Sequence, residues 1–281
     1  MTIRVGINGF GRIGRLVFRA AMEAKRKDIE FVAINDLGSA EANARLLKYD
    51  SVHGAYPGKI SSTKNTIRVD GKSVRVLAER NPADLPWGDL GVDIVFECTG
   101  IFASKEKASA HLAAGAKKVL VSAPASGADI TVVYGINHNK MRKSHTVISN
   151  ASCTTNCLAP VAAILDETVG IKHGFMTTIH AFTGDQRTVD TLHADPHRAR
   201  AASVSMIPTS TGAAKAVGLV LPQLDGKLDG TSIRVPTPNV SLIDFKIEAK
   251  KDTTPEAINA AMVKASKGKL KGVLAINDEP L

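Results

Sequence analysis

The stretch Val5–Leu16, "VGINGFGRIGRL", decides the fold of the first half of the chain. Its glycines Gly9, Gly11 and Gly14 match the pattern G-x-G-x-x-G, after a strand-like run and at the start of a helix-like one. The first glycine permits a tight turn, the second lets the backbone approach a pyrophosphate, and the third lets helix and strand pack closely. The pyrophosphate then meets the positive end of the helix. The stretch therefore predicts a dinucleotide-binding strand–turn–helix unit.

The second strand-like run ends in "AIND", which places a carboxylate at Asp36, 22 residues after Gly14. The pattern calls for an acidic residue about 20 residues on, where it hydrogen-bonds a ribose hydroxyl. A carboxylate would repel a 2′-phosphate, and Leu37 beside it brings no compensating charge. We therefore expect NAD in preference to NADP.

Strand-like and helix-like runs alternate from the glycine turn to "HTVISN" at residues 145–150. The strand-like runs are almost continuously apolar, which is typical of a parallel sheet covered by helices on both faces. A hairpin interrupts the alternation in "TIRVDGKSVRVLA", where Asp70-Gly71 is a two-residue turn sequence. The first half is thus predicted to be a Rossmann-type, doubly wound parallel sheet.

The pattern changes after Asn150, and 281 residues are enough for two hydrophobic cores. One helix-like run, "CLAPVAAILDETV", leads into longer strand-like runs with polar alternation, which favour a mixed or antiparallel sheet. Between the strands lies a polar stretch, residues 183–203, which is too long for an ordinary connection and is predicted to be a binding loop. We predict an α/β chain with a nucleotide-binding domain at residues 1–152 and an α+β catalytic domain at residues 153–281.

Composition narrows the class of partner. The net charge of +9 favours anionic partners such as phosphorylated metabolites or nucleotides. Only 4% of the residues are aromatic and the positive charges are scattered, so nucleic acid is disfavoured. No apolar run reaches the roughly 18–20 residues that cross a bilayer, and three cysteines suit a reducing compartment. We expect a cytoplasmic protein without a membrane partner.

The stretch "SNASCTTNC", Ser149–Cys157, allows several interpretations. A zinc site needs about four ligands, and no histidine pair with metal spacing lies nearby, so no metal is predicted. A disulfide between Cys153 and Cys157 is disfavoured by helix geometry, although oxidation with local fraying stays open. Cys153 is expected in the first turn of the helix, where free N–H groups and the helix dipole stabilise a thiolate. Cys157 is expected to serve helix packing, which leaves Cys153 as the candidate nucleophile.

A base for this nucleophile has to come from another element. His180 ends the strand-like run "TTIHAF" that follows the cysteine helix. Strand ends in open α/β architectures face the ligand crevice, so His180 is the candidate partner of Cys153.

The chain resembles phosphorylating, glycolytic glyceraldehyde-3-phosphate dehydrogenases along essentially its whole length. The resemblance rests on five ordered segments: "INGFGRIGR", "SNASCTTNCLAP", "TTIHAFTGDQ", "PTSTGAAKAVG" and "RVPTPNVS". It implies that Cys153 attacks the aldehyde carbon of glyceraldehyde 3-phosphate to form a thiohemiacetal while His180 takes the hydroxyl proton. A thioester follows, and inorganic phosphate then releases 1,3-bisphosphoglycerate.

The resemblance also implies two sets of binding residues. On the NAD side they are Gly9, Gly11, Arg12, Ile13, Gly14, Asp36, Arg80 and Ser122. For the substrate's own phosphate they are Thr183 and Arg234; for the attacking phosphate they are Ser152, Thr154, Thr211 and Gly212; Arg198 serves both.

Members of the resembled family continue beyond the point at which "AINDEPL" ends, so the catalytic domain is expected to be incomplete at its C-terminal end. The family forms homotetramers, which sets the expectation for assembly. Two alternatives stay open at this point: a related enzyme that oxidises erythrose 4-phosphate, whose motifs overlap heavily, and an NAD-binding fragment without catalytic activity.

Overall fold

In the computed structural model, which describes residues 2–280, the chain forms two compact units. The first comprises residues 2–131 and 141–151, and the second comprises residues 132–140 and 152–280. The division after Ala151 lies one residue from the proposed boundary. The segment Val132–Lys140 lies within the range predicted for the first domain but belongs to the second unit, where Ile136 packs beside the buried side chain of Leu270.

The first unit is built on a nine-stranded sheet with the order β10-β11-β9-β8-β1-β2-β7-β6-β5. All neighbours from β10 to β7 are parallel, and only β6 and β5 run antiparallel at one edge. The strands of this unit are β1 Ile3–Asn8, β2 Ile29–Asn35, β3 Tyr49–Asp50, β4 Gly54–Ala55, β5 Ile60–Thr63, β6 Thr66–Val69, β7 Lys72–Leu77, β8 Ile94–Glu97, β9 Lys118–Val121, β10 Ile130–Thr131 and β11 Val147–Ser149. The predicted doubly wound parallel sheet is confirmed.

Helices cover both faces of this sheet, which explains its apolar strands. One core cluster places Phe18 of the first helix against Val5 and Phe31 of the sheet, and a second cluster surrounds Trp87. The helices of the unit are α1 Arg12–Glu23, α2 Ala40–Lys48, α3 Lys105–Ala108 and α4 Ala110–Ala113, with a 3₁₀ turn at Pro82–Asp84. The predicted hairpin joins β6 to β7 through Asp70 and Gly71, whose φ angles of 50° and 84° suit a tight two-residue connection.

The second unit has a four-stranded mixed sheet with the order β13-β14-β12-β15. β12 runs parallel to β14 and antiparallel to β15, as the polar alternation of these strands predicted. The elements are α5 Cys153–Thr168, β12 Ile171–Ala181, β13 Ile207–Ser210, α6 Val217–Val220, β14 Leu228–Val235, β15 Leu242–Ala249 and α7 Pro255–Lys267, with 3₁₀ turns at His138–Lys140, His197–Ala199 and Pro222–Leu224. Among the described residues, none of the helices has both the length and the apolar character needed to cross a membrane.

The helix α5 carries Cys153 at its first position and continues through Pro160. Ile164 of α5 packs with Ala265 and Leu270, so α7 and the turn after it hold the far end of the cysteine helix. This packing anchors the C-terminal half of α5 within its unit.

Candidate active site

The carboxyl ends of β1, β2 and β8 meet in the first unit at the point where the strand order reverses. A cavity of about 460 Å³ opens there; its lining residues are Asn8, Gly9, Gly11, Asn35, Asp36, Leu37, Glu79, Arg80, Cys98, Thr99, Ile101 and Phe102. A switch point of this kind is where open α/β sheets bind ligands, and the volume lies in the range of small-molecule sites. Four of the predicted cofactor residues, Gly9, Gly11, Asp36 and Arg80, line this cavity.

The three glycines of the turn are placed for different reasons. Gly9 has a φ of +87°, and a Cβ there would lie 2.7 Å from the backbone nitrogen of Thr99. A Cβ at Gly14 would lie 2.2 Å from the carbonyl oxygen of Gly9, so helix and turn pack too closely for a side chain. A Cβ at Gly11 would meet nothing within 4 Å, which leaves open space beside the turn. The turn thus has the close packing and the open approach that a pyrophosphate requires.

Asp36 is held by the backbone on both of its carboxylate oxygens. Phe10 donates its N–H to Oδ2 and Gly38 donates its N–H to Oδ1, each at 2.9 Å. The carboxylate therefore has a fixed orientation at the rim of the cavity, and its remaining lone pairs can accept hydrogen bonds from ribose hydroxyls. Together with the glycine turn, this carboxylate fits the adenosine half of NAD.

The other predicted cofactor residues lie around the cavity without lining it. The guanidinium of Arg12 forms an ion pair with Asp50 at 2.6 Å, and the side chain of Ile13 is exposed. Ser122 follows β9 and its hydroxyl hydrogen-bonds the thiol of Cys98. The roles of Arg12, Ile13 and Ser122 toward NAD stay predictions.

Three large apolar side chains that line the cavity, Leu37, Ile101 and Phe102, were not predicted from the sequence as cofactor-binding residues. Leu37 and Phe102 give it apolar walls, and Leu37 is 56% exposed, so it is open to a ligand. Apolar walls suit a flat ring such as adenine. Leu37 could have been found from its place beside Asp36, whereas Phe102 carries no local signal.

Cys153 is the first residue of α5, as predicted. Ser152 caps the helix by accepting a hydrogen bond from the N–H of Thr155 at 3.0 Å. The pKa of the Cys153 thiol is lowered, mainly by its hydrogen bond to His180 and further by the N–H of Thr154, although partial burial acts in the opposite direction. The helix entrance therefore favours a thiolate.

His180 lies at the end of β12 with its Nε2 3.1 Å from the sulfur of Cys153. Its ring is buried, and its Nδ1 lies 2.7 Å from the carbonyl oxygen of Ala181. Nδ1 also lies 2.7 Å from Nη1 of Arg234. The predicted Cys–His pair is thus formed within one unit, at hydrogen-bonding distance.

Cys157 departs from the expectation that it serves helix packing. Its side chain is exposed, while Leu158, Ala159 and Ala162 of the same helix are buried. Because α5 is apolar on most of its surface, periodicity alone did not identify its buried face. The pKa of Cys157 is raised by partial burial and by the neighbouring sulfur of Cys153, so this thiol is a weaker nucleophile than Cys153 despite its exposure.

The two predicted phosphate-binding arginines, Arg234 and Arg198, differ in how far their guanidinium donors are already paired. Arg234 also donates from Nη1 to the carbonyl oxygen of Ala181 at 3.1 Å, and its Nε is buried with no hydrogen-bond partner among the described residues. Arg198 is already paired: Nη1 lies 2.6 Å from Asp185, and Nε lies 3.4 Å from Asp195. The unsatisfied donor makes Arg234 the more available of the two for an anion.

Of the predicted hydroxyl donors, Ser152 and Thr154 lie at the N-terminal end of α5, and Thr183 and Thr211 lie on two loops of the same unit. Thr183 bonds Gln186 at the start of the polar loop, and the hydroxyl of Thr211 accepts from the N–H of Ala213. A Cβ at Gly212 would meet nothing within 4 Å, so its backbone is open to approach. Thr155 of α5 donates to the carbonyl oxygen of Ala213 at 3.1 Å, which joins the cysteine helix to the loop of Thr211 and Gly212.

Comparison with known proteins accounts for both units. The family described as "Glyceraldehyde 3-phosphate dehydrogenase, NAD binding domain" matches residues 3–105, and "Glyceraldehyde 3-phosphate dehydrogenase, C-terminal domain" matches residues 152–281. A glyceraldehyde-3-phosphate dehydrogenase of Xanthobacter flavus is 65% identical over 280 residues, which span 100% of this chain and 84% of the relative. With the same coverage, the enzymes of Cereibacter sphaeroides and Geobacillus stearothermophilus are 63% and 58% identical.

Such an enzyme needs a glycine turn with a carboxylate beside it for the ribose. It also needs a cysteine–histidine pair at a helix entrance. The two family matches and the identity to these relatives agree with that chemistry. The chain belongs to the glyceraldehyde-3-phosphate dehydrogenase family and is an NAD-dependent oxidoreductase that acts on an aldehyde group.

Proposed function

We propose that this chain oxidises glyceraldehyde 3-phosphate with NAD and inorganic phosphate to give 1,3-bisphosphoglycerate, the reaction that serves glycolysis. The observation that carries the proposal is the distance of 3.1 Å between the sulfur of Cys153 and Nε2 of His180, at the entrance of a helix. The named substrate of the relatives supports the same reaction.

The thiolate of Cys153 attacks the aldehyde carbon to form a thiohemiacetal. The free N–H groups at the start of α5 are the donors that we assign to the developing oxyanion, a contribution that is worth about 10²–10³ in rate at comparable sites. The Nε2–H of His180 donates its proton to this oxyanion, and Nε2 takes the proton back when the hydride leaves. When NAD is bound, it supplies the acceptor for the hydride that leaves the same carbon.

Inorganic phosphate then attacks the thioester carbonyl carbon, and the sulfur of Cys153 leaves as a thiolate. Arg234 and Thr183 hold the phosphate of the substrate, and Arg198 serves both anions. The attacking phosphate is held by four residues of the helix entrance and its neighbouring loop: Ser152, Thr154, Thr211 and Gly212. Guanidinium forks and hydroxyl donors suit phosphate oxygens.

On the cofactor side, the turn of Gly9, Gly11 and Gly14 receives the pyrophosphate, and Asp36 binds the adenosine ribose. The open space beside Gly11 and the fixed carboxylate of Asp36 support these roles. The remaining residues that we assign to this site are Arg12, Ile13, Arg80 and Ser122.

The proposal is tested by NADH formation with glyceraldehyde 3-phosphate in the presence and absence of phosphate. We expect turnover that depends on phosphate or arsenate and is abolished in Cys153→Ser. Equal rates without either anion would contradict a phosphorylating reaction. Erythrose 4-phosphate is the comparison substrate, and a higher kcat/KM for it would reassign the substrate while leaving the chemistry intact.

We also propose a homotetramer in the cytoplasm. In the second unit, the face of the sheet opposite α5 exposes Phe175 of β12 and Leu242 of β15 at 50% and 60%. Exposed apolar side chains on one sheet face are typical of an interface. All three cysteines are free thiols, which suits a reducing compartment. Light scattering coupled to size-exclusion chromatography measures the assembly, and a monomeric mass for the native chain would contradict it.

A further inference from the structure

A cluster of buried polar side chains lies behind the cofactor cavity, in the first unit, and is not used by the proposed reaction. Trp87 and His111 have 0% exposure, and Glu97 has 1%. Asn8 and Asn35, also buried, connect this cluster to the cavity wall. Buried polar groups are costly unless each of them is paired, so the cluster needs an explanation.

The hydrogen bond between Trp87 and His111 fixes the tautomer of the histidine. The indole Nε1 of Trp87 lies 3.0 Å from Nδ1 of His111. An indole N–H can only donate, so Nδ1 has to be the acceptor and the ring proton has to reside on Nε2. Nε2 lies 2.9 Å from Oε2 of Glu97. His111 is therefore held as a donor to Glu97.

The amide of Asn8 has an equally fixed direction. The N–H of Glu79 donates to Oδ1 of Asn35, whose Nδ2 donates to Oδ1 of Asn8 at 2.7 Å. The Nδ2 of Asn8 then points at Oε2 of Glu97, at a distance of 2.6 Å. The N–H of Glu79, acting through Asn35, directs the amide of Asn8 toward Oε2 of Glu97. The indole of Trp87 directs Nε2 of His111 toward the same oxygen.

The second oxygen of Glu97 holds the wall of the cavity. Oε1 accepts from the N–H of Thr99 at 2.8 Å and from the hydroxyl of Thr99. Thr99 in turn lies against Gly9, because a Cβ on that glycine would be 2.7 Å from its backbone nitrogen. Four donor groups thus converge on the two oxygens of this carboxyl group. Its orientation therefore sets the position of the turn that lines the cavity.

We propose that His111 is a positioning residue for dinucleotide binding. Trp87 donates to Nδ1 of His111, so that His111 donates from Nε2 to Glu97 and orients its carboxyl group. Glu97 in turn fixes Thr99 and Asn8 in the cavity wall. The inference rests on the proposed assignment of this cavity to NAD. Because the cluster belongs to the first unit and the cysteine–histidine pair to the second, its loss is expected to act on NAD affinity and not on the reactivity of the thiol.

Two substitutions of similar size distinguish a role of His111 in positioning Glu97 from a role in filling space in the core. In His111→Gln the side chain can accept from Trp87 and donate to Glu97, whereas in His111→Leu it can do neither. We expect His111→Leu to weaken NAD binding at least fivefold by calorimetry and to raise the KM for NAD with kcat within twofold, and His111→Gln to stay within twofold of the native Kd. The emission of Trp87, the single tryptophan, reports whether its environment stays buried.

Equal NAD affinities of the two variants, or a native affinity in a folded His111→Leu, would overturn the proposal. Should His111→Leu not fold, selective ¹⁵N-histidine NMR on the native chain and on Trp87→Phe decides the matter. We expect a proton on Nε2 in the native chain and a tautomer mixture in Trp87→Phe, with weaker NAD binding; an unchanged tautomer overturns the proposal.

Asp36→Ala tests the assignment of the cavity to NAD. If Asp36→Ala leaves NAD binding intact, the cavity assignment fails. If Asp36→Ala abolishes NAD binding while His111→Leu does not affect it, only the positioning role of His111 fails.

Discussion

Nη1 of Arg234 lies 2.7 Å from Nδ1 of His180, the ring nitrogen opposite to the one that faces Cys153. A guanidinium always donates, so while Arg234 stays there Nδ1 has to be an acceptor and Nε2 has to carry the proton. In that state His180 donates to the thiolate and cannot take a proton from substrate. When Arg234 turns to a phosphate, Nδ1–H can donate to the carbonyl oxygen of Ala181, which lies at 2.7 Å, and Nε2 becomes free to act as the base.

The tautomer of His180 is therefore expected to depend on Arg234. In the ligand-free native chain, ¹⁵N-histidine NMR should show a proton on Nε2, and in Arg234→Leu it should show protonation of Nδ1. His111 serves as an internal control, because its tautomer is set by Trp87 and should not change. The same His180 spectrum in both proteins would mean that Arg234 does not control this ring.

The pH dependence of alkylation should follow the lowered pKa of Cys153. A thiol with a lowered pKa keeps a larger thiolate fraction at pH 7, and each unit of pKa changes that fraction about tenfold below the midpoint. Since the hydrogen bond to His180 is the largest cause of the shift, His180→Asn should raise the midpoint and slow alkylation at pH 7. Rates with iodoacetamide from pH 5 to 10 measure this, and at high pH the two proteins should converge. An unchanged midpoint in His180→Asn would contradict the assignment of His180.

The three cysteines should react in a fixed order. Cys153 has a lowered thiol pKa, Cys157 is exposed but has a raised pKa, and burial raises the pKa of Cys98 to about 11. With limiting iodoacetamide at pH 7, peptide mass spectrometry should find label on Cys153 first, then on Cys157, and on Cys98 only after unfolding. Exposure alone would predict similar rates for Cys153 and Cys157, so labelling of Cys157 first or equally would show that the pKa difference is not decisive.

Two glycine-to-alanine variants should distinguish the glycine that is needed for packing, Gly14, from the glycine that leaves space for a ligand, Gly11. In Gly14→Ala the new Cβ would lie 2.2 Å from the carbonyl oxygen of Gly9, and overpacking of this kind costs about 1–3 kcal/mol of unfolding free energy. Gly11→Ala meets no protein atom within 4 Å, so its stability should stay close to native while NAD binding weakens at least tenfold. Urea unfolding and calorimetry measure the two effects. A Gly11→Ala protein with native NAD affinity would place the pyrophosphate elsewhere.

The parts of the site that follow from local rules could be predicted from the sequence. The glycine turn, the carboxylate of Asp36 and the cysteine at a helix entrance each depend on a few neighbouring residues, and the hairpin at Asp70-Gly71 does so as well. His180 was found because strand ends gather at one edge of a sheet.

The buried cluster behind the cavity could not be predicted in this way. Asn8 and Glu97 are the last residues of β1 and β8, and their partner His111 is separated from Asn8 by 103 positions in the chain. Hydrogen-bond direction between such residues is decided by tertiary contact and leaves no periodic signal. The exposure of Cys157 escaped prediction for a related reason, because a helix that is apolar nearly all round does not show which side it buries.

Arg198 is expected to bind phosphate, yet in this structure it is neutralised by Asp185 and Asp195. Arrival of a phosphate at this side chain is then an exchange of one anion for another rather than the occupation of a vacant site. The net affinity is the difference between the two pairings, so it is smaller than the strength of the new contacts alone. Such an exchange also makes release of a phosphorylated product easier, since Asp185 and Asp195 can pair with Arg198 again.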